Sequence, residues 1–288
     1  MMTARVFPRR EVRLATETLS VICAGQHGPP VVLLHGGGTD AAALSWGPLI
    51  NELSRDHRVF APDLPGYGMS PWADVPHTLE YYVNLTQRLL DALGLEHAVL
   101  VGVSMGGGIA LGLALHAPDR VSGLIPVASY GLQRKAPLHT LSRLAVQANV
   151  GDDGLYRLLA RHRPLMRATA GAIFGDPRRL TSDLVDEMQA IVARPGVGRP
   201  FRAFQRAEVG RHGLRTVYMD QLGGMRAPTL FVHGTHDTLV PMACAQEAQR
   251  RTPGALLCLL RGVGHWPQRE TPAPFNQLVR AFLRRVTE

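Results

Sequence analysis

A chain of 288 residues is long enough for one large α/β domain, or for one domain carrying an inserted subdomain. At 45% hydrophobic and 19% charged it has the makeup of an ordinary globular chain with a sizeable core, which excludes a disordered or fibrous class. The formal charge of +8 does not imply a nucleic-acid partner: Lys135 is the only lysine, and many of the arginines are interleaved with Leu, Ala and Met between Arg134 and Arg226, as on solvated helix faces.

Met1 to Glu17 is charged and lacks the apolar block of a signal peptide, and no stretch is apolar enough to span a bilayer. The expected setting is soluble and cytoplasmic, without a membrane partner. Cys23, Cys244 and Cys258 lack metal-ligand spacing and are expected to be small buried hydrophobes, so no metal is implied. Strand-like runs at 11–15 and 19–24 open the chain. Four apolar strands follow at 30–34, 58–62, 98–103 and 121–128, each ending in a turn with Gly, Pro or Asp. Such continuous Val, Leu and Ile runs suit strands buried on both faces of a parallel sheet. Helices are expected at 79–93, where Gly94 is a stop signal, and at 109–116, where Pro118 ends it.

From Gly131 to Gly224 the strand pattern gives way to Arg-rich helical stretches, broken by Gly151, Pro164, Gly175-Asp176-Pro177 and Pro195-Gly196. Strands resume at 228–232 and 256–260, and a last helix is expected at 274–286. The expected fold is α/β: a doubly wound, mostly parallel sheet with a helical lid inserted after the sixth strand. Residues 1–130 and 225–288 would form the core, and 131–224 the lid.

Gly102-Val103-Ser104-Met105-Gly106 falls between a buried strand and a helix of small residues. In that context the turn is so sharp that its flanks must be glycine, and it lifts the Ser104 hydroxyl above the sheet edge as a nucleophile. A serine hydroxyl needs a base to take its proton. Asp237 follows the strand at 228–232, and His265 follows the strand at 256–260 in Gly264-His265-Trp266. Both return to the sheet edge that carries Ser104, in the order nucleophile, acid, base. His233 and His236 compete for the base but lie in the acid's own loop. A tetrahedral intermediate needs N–H donors already aimed at its oxyanion. Met105 supplies one, and the loop His35-Gly36-Gly37-Gly38 supplies the second from Gly37, with Gly36 as the alternative.

With these motifs the chain resembles the α/β-hydrolase superfamily from Val31 to its last helix, including Asp63-Leu64-Pro65-Gly66-Tyr67-Gly68-Met69-Ser70, read as a structural turn. A serine at the elbow argues against the superfamily's dehalogenases and epoxide hydrolases, which carry aspartate there. The hormone-sensitive-lipase-like group has a different elbow, usually Asp-Ser-Ala-Gly. A narrower resemblance is to the meta-cleavage-product hydrolases, which cut carbon–carbon bonds in vinylogous diketo acids. It rests on His35 to Gly38, Ser104-Met105-Gly106-Gly107, Gly264-His265-Trp266 and Phe275-Asn276-Gln277-Leu278-Val279. Thr39 departs from it, standing where proline is usual. The resemblance implies a lid arginine for the substrate carboxylate, for which Arg194 is one candidate, and Trp266 either lines the acyl pocket or packs at the lid base.

The expected activity is therefore that of a Ser–His–Asp hydrolase acting on a small carboxylic ester or related acyl compound, without metal or organic cofactor. Carbon–carbon hydrolysis, lactone opening or perhydrolysis would use the same triad. A non-catalytic ligand-binding protein is the reading against which the triad and both oxyanion donors argue. A homodimer is left open.

Overall fold

The computed structural model describes residues 7–148 and 153–287. Its elements run β1 (Arg9–Arg13), β2 (Thr18–Ala24), β3 (Pro30–Leu34), α1 (Ala42–Leu53), β4 (Arg58–Pro62), α2 (Leu79–Ala92), β5 (Ala98–Val103), α3 (Met105–His116) and β6 (Val121–Val127). The helices α4 (His139–Gln147), α5 (Asp153–Arg161), α6 (Arg163–Gly171), α7 (Ser182–Val192) and α8 (Arg199–Glu208) follow before the sheet resumes. The chain closes with β7 (Leu230–Gly234), α9 (Met242–Arg251), β8 (Leu256–Leu260), α10 (Pro267–Glu270) and α11 (Pro272–Thr287).

The strands form one sheet in the order β1-β2-β4-β3-β5-β6-β7-β8. The two pairings that involve β2 are antiparallel, and every pairing from β4 to β8 is parallel. Successive side chains of a strand face opposite sides. On β3, Val32 and Leu34 pack with α2 and α3, whereas Val31 and Leu33 pack with α1 and α11. All six residues of β5 are buried, the mark of a central parallel strand. A parallel sheet gathers the loops after its strands at one edge, and Ser104, Asp237 and His265 all follow strands there.

Several boundaries differ from expectation. β1 lies two residues earlier, because Arg13 pairs with Thr18 and Leu14 N–H closes the hairpin on Glu17 C=O. β6 ends at Val127, since Ala128 turns to φ 44°. β7 starts at Leu230, where its ladder with β8 begins. α3 starts at Met105 rather than 109: Gly106, Gly107 and Gly108 are weak helix formers carried by tertiary packing. The last helix extends to 272–287. The three cysteines are free and half-buried rather than fully buried. Residues 1–6 of the charged N-terminal stretch and the expected break at Gly151 lie outside the described residues. Among the described residues no helix is long and apolar enough to cross a membrane.

Candidate active site

The turn from β5 to α3 is fixed by its backbone. Ser104 sits at φ 52° and ψ −116°, a strained conformation for a residue with a side chain, costing about 1–3 kcal/mol. The surroundings hold it there. Ser104 N–H donates to Val127 C=O at 2.9 Å, and its own C=O accepts from Gly108 N–H at 3.0 Å and Tyr130 N–H at 2.9 Å. A methyl group on Gly102 would overlap the Gly106 peptide, and one on Gly106 would overlap the Leu34 and His35 carbonyl oxygens. Both flanking glycines are therefore required by contact, and Ser104 remains partly accessible.

Asp237 is brought to His265 by the loop after β7. Its Oδ1 accepts from the N–H of Leu239 at 2.8 Å and of Val240 at 3.0 Å. Its Oδ2 lies 2.9 Å from His265 Nδ1 and 3.3 Å from His233 Nε2. The Asp237 side chain is fully buried and that of His265 is 8% exposed. Burial alone would push the Asp237 carboxyl up. Hydrogen bonds from His233, His265 and the Val240 backbone N–H outweigh it and hold the group well below the usual carboxylate range. An ionised carboxylate only accepts, so the His265 proton is assigned to Nδ1, leaving Nε2 with a lone pair. His233 is buried with its Nε2 2.9 Å from Val240 C=O, and His236 is exposed.

The glycine loop after β3 separates its two candidate donors. His35 Nε2 accepts from Leu64 N–H at 3.0 Å, so the ring donates from Nδ1 to Gly36 C=O at 2.7 Å. Gly36 N–H is taken by Asp40 Oδ2 at 2.8 Å, which favours Gly37 as the donor to a substrate oxyanion. Asp40 is buried and also accepts from Ala41 N–H and the Ser45 hydroxyl. Burial pushes its carboxyl up. The Phe201 ring of α8 lies directly over Gly37, close enough that a methyl there would sit 2.6 Å from it. Asp63 holds its turn together, accepting from Ala42 and Met69 N–H at 2.8 Å and from Arg9 at 2.6 Å.

Trp266 and Arg194, the two residues expected at the substrate, are placed differently from each other. Trp266 is 5% exposed and belongs to an apolar cluster that joins the sheet to Leu159, Met166, Phe174, Leu184 and Met188. Arg194 is exposed and lines cavities of about 540 Å³ and about 220 Å³. Neither cavity is lined by Ser104, Asp237, His265, Gly37 or Met105. Sequence reasoning did not single out Asp40 or Phe201. Asp40 five residues after His35 was open to notice; Phe201 carries no such signal.

Comparison with known proteins places the fold in a family. The model of the alpha/beta hydrolase fold family matches residues 29–272. A 2-hydroxymuconate semialdehyde hydrolase of Pseudomonas sp. (strain CF600) is 32% identical over 89% of this chain and 87% of its own length. A pimeloyl-[acyl-carrier protein] methyl ester esterase of Edwardsiella ictaluri is 33% identical over 85% of this chain and 89% of its own. Among solved structures, a 2-hydroxy-6-oxo-6-phenylhexa-2,4-dienoate hydrolase from Rhodococcus sp. strain RHA1 superposes with a TM-score of 0.79 at 26% identity, covering 97% of this chain and 100% of that one. On its fold, its sheet-edge motifs and these matches, the chain belongs to the alpha/beta hydrolase fold family.

Proposed function

We propose that this hydrolase cleaves a small acyl compound with a Ser104–His265–Asp237 triad. The observation that carries the reading is the buried Asp237–His265 hydrogen bond of 2.9 Å on the same sheet edge as the strained Ser104 turn. Ser104 Oγ attacks the acyl carbon while His265 Nε2 takes its proton. Asp237 holds the imidazole by Nδ1 and stabilises the imidazolium that forms. The N–H groups of Gly37 and Met105 receive the oxyanion. His265 then gives the proton to the leaving group, and water releases the acyl group by the same steps in reverse. The helices between β6 and β7 serve as a lid that shapes the acyl pocket, with Phe201 at its contact with the oxyanion loop.

A small carboxylic ester is the first substrate class. A substrate bearing a free carboxylate calls for a cation beside the triad, and Arg194 opens instead onto cavities that the triad does not line. Carbon–carbon hydrolysis of a vinylogous diketo acid is the second reading. It is favoured by the 32% identity to the 2-hydroxymuconate semialdehyde hydrolase. There His265 would protonate carbon instead of oxygen.

Steady-state rates on para-nitrophenyl acetate and on a yellow ring-fission dienolate separate the two. Higher kcat/KM on the ester supports the first, and efficient bleaching of the dienolate supports the second. Ser104→Ala should lower turnover of the better substrate by about 10³–10⁶-fold. Turnover by Ser104→Ala equal to wild type would remove the triad reading.

A further inference from the structure

Behind His265 lies a carboxylate that the reaction above does not use. Glu270 ends α10 with its side chain fully buried. Its Oε2 accepts from Gly264 N–H at 2.7 Å and Gly175 N–H at 3.0 Å. Its Oε1 accepts from Asp176 N–H at 3.0 Å and from Arg179 Nη1 at 3.1 Å. Gly264 immediately precedes His265, whereas Gly175, Asp176 and Arg179 belong to the segment between β6 and β7. One carboxylate therefore joins the histidine loop to the inserted helices. His265 N–H adds a direct link, donating to Ile173 C=O at 2.8 Å.

The two stretches of chain cross at backbone contact. A methyl on Gly264 would overlap the Ile173 carbonyl oxygen, and one on Gly175 would sit 2.6 Å from the Gly262 oxygen. On the far side, a methyl on Gly234 would overlap the carbonyl oxygens of Val263 and Gly264. Confined between these neighbours, the Gly264 peptide takes its orientation from the acceptor of its N–H, and that acceptor is Glu270.

We propose that Glu270 is a positioning residue for His265, holding the Gly264 peptide so that the imidazole stays on Asp237 and faces Ser104. The inference rests on the triad reading above. A shift of about 1 Å in a catalytic group can cost about 10²-fold in rate, so the expected effect falls on kcat.

The test compares full-length wild type, Glu270→Gln and Glu270→Asp with para-nitrophenyl acetate as substrate. Active sites are counted by a fluorophosphonate, and the low-field Nδ1–H proton resonance is assigned by its loss in His265→Gln. Gln places an NH₂ group against one of the N–H donors; Asp keeps the charge but withdraws it by one carbon. The expected result for Glu270→Gln is kcat per titrated site lower by about 10²-fold, KM within about 3-fold of wild type, and a weakened or shifted low-field proton. Should Gln fail to fold, Glu270→Asp must show the same loss per site. A folded variant with wild-type kcat per site and an unmoved resonance would overturn the proposal, as would fewer active sites of unchanged kcat, which mark a role in folding alone. If wild type and Ser104→Ala turn over the ester alike, the triad reading fails. The resonance still judges Glu270 in that case: loss of the Asp237–His265 proton in Glu270→Gln supports the positioning role, and its retention overturns it.

Discussion

At the sheet edge around Ser104 the chain is closely packed on its own backbone, whereas between β6 and β7 burial is uneven and one helix, α4, stays on the surface. Gly102 and Gly106 have no room for a methyl group, and β3 and β5 beside them are almost entirely buried. α4, by contrast, has no buried residue, and its neighbour Leu138 is 77% exposed. The inserted segment meets the core through side chains, with Phe201 on Gly37, Glu208 on Leu79 and Tyr130, and Glu270 on Gly175 to Arg179, through the apolar cluster around Trp266, and through backbone where His265 N–H donates to Ile173 C=O. Close backbone packing leaves the Ser104 turn little freedom, while the exposed part of the inserted segment is free to vary.

Asp237→Asn should give the largest effect, because it strikes the edge itself. Turnover is expected to fall by about 10³–10⁴-fold, since asparagine no longer enforces the Nδ1–H tautomer of His265. Stability carries a second signature. Burial opposes ionisation of Asp237, but its hydrogen bonds win and the folded carboxyl is depressed. Such a group contributes stability that is full above its unfolded value of about 3.9 and is lost as pH falls toward the folded value. The stability gap between wild type and Asp237→Asn should thus be widest above about pH 5 and close as acid is added. Urea midpoints at several pH values measure it. A gap that widened in acid would contradict the hydrogen bonds that His233 and His265 make to Asp237.

Glu208→Ala probes the seam between the two regions. The Glu208 residue is 2% exposed, and its carboxylate accepts from Leu79 N–H at 2.8 Å, Tyr130 hydroxyl at 3.1 Å and Thr216 N–H at 3.2 Å. Removing it strands three donors, which should cost about 2–3 kcal/mol and lower Tm by roughly 4–10 °C. A fall below about 1 °C would mean that the aromatic contacts of Phe204 with Tyr82 and Tyr130 hold α8 without it.

What could be read from sequence follows the same division. β3, β4, β5 and β8 were legible to the residue because each is a short apolar run bounded by turn signals, even though β8, at the sheet's edge, has no buried residue. α1 falls where a helix between strands is expected, but its bounds were not legible: Gly47 and Pro48 interrupt its pattern, and burial of most of its residues against the sheet outweighs that local cost. α9 was missed, a helix whose second half is polar and of which only Ala245 and Ala248 are buried. The placement of Ser104, Asp237 and His265 after three strands of one sheet was legible from the strand runs that precede them. Glu208 and Glu270 were not, since each binds backbone donors 129 and 95 residues away, and such pairing leaves no periodic mark. Arg194 and Trp266 depended on how helices pack, which a single sequence encodes weakly.

Leu141→Ser on α4 should be the quietest change, and for that reason it tests the inserted layer on its own. Leu138, Leu141 and Leu144 recur at helical spacing and are 77, 62 and 48% exposed. If that stripe faces water in solution, serine removes no buried area. Stability should then stay within about 0.5 kcal/mol and Tm within roughly 2 °C, with ester turnover unchanged. Size-exclusion chromatography read beside the melt decides what a larger effect would mean. A fall of several degrees with a later elution volume than wild type would show that a second copy covers the stripe. The same fall at unchanged elution would show that α4 closes onto its own chain, with its leucine stripe packed against a neighbouring element.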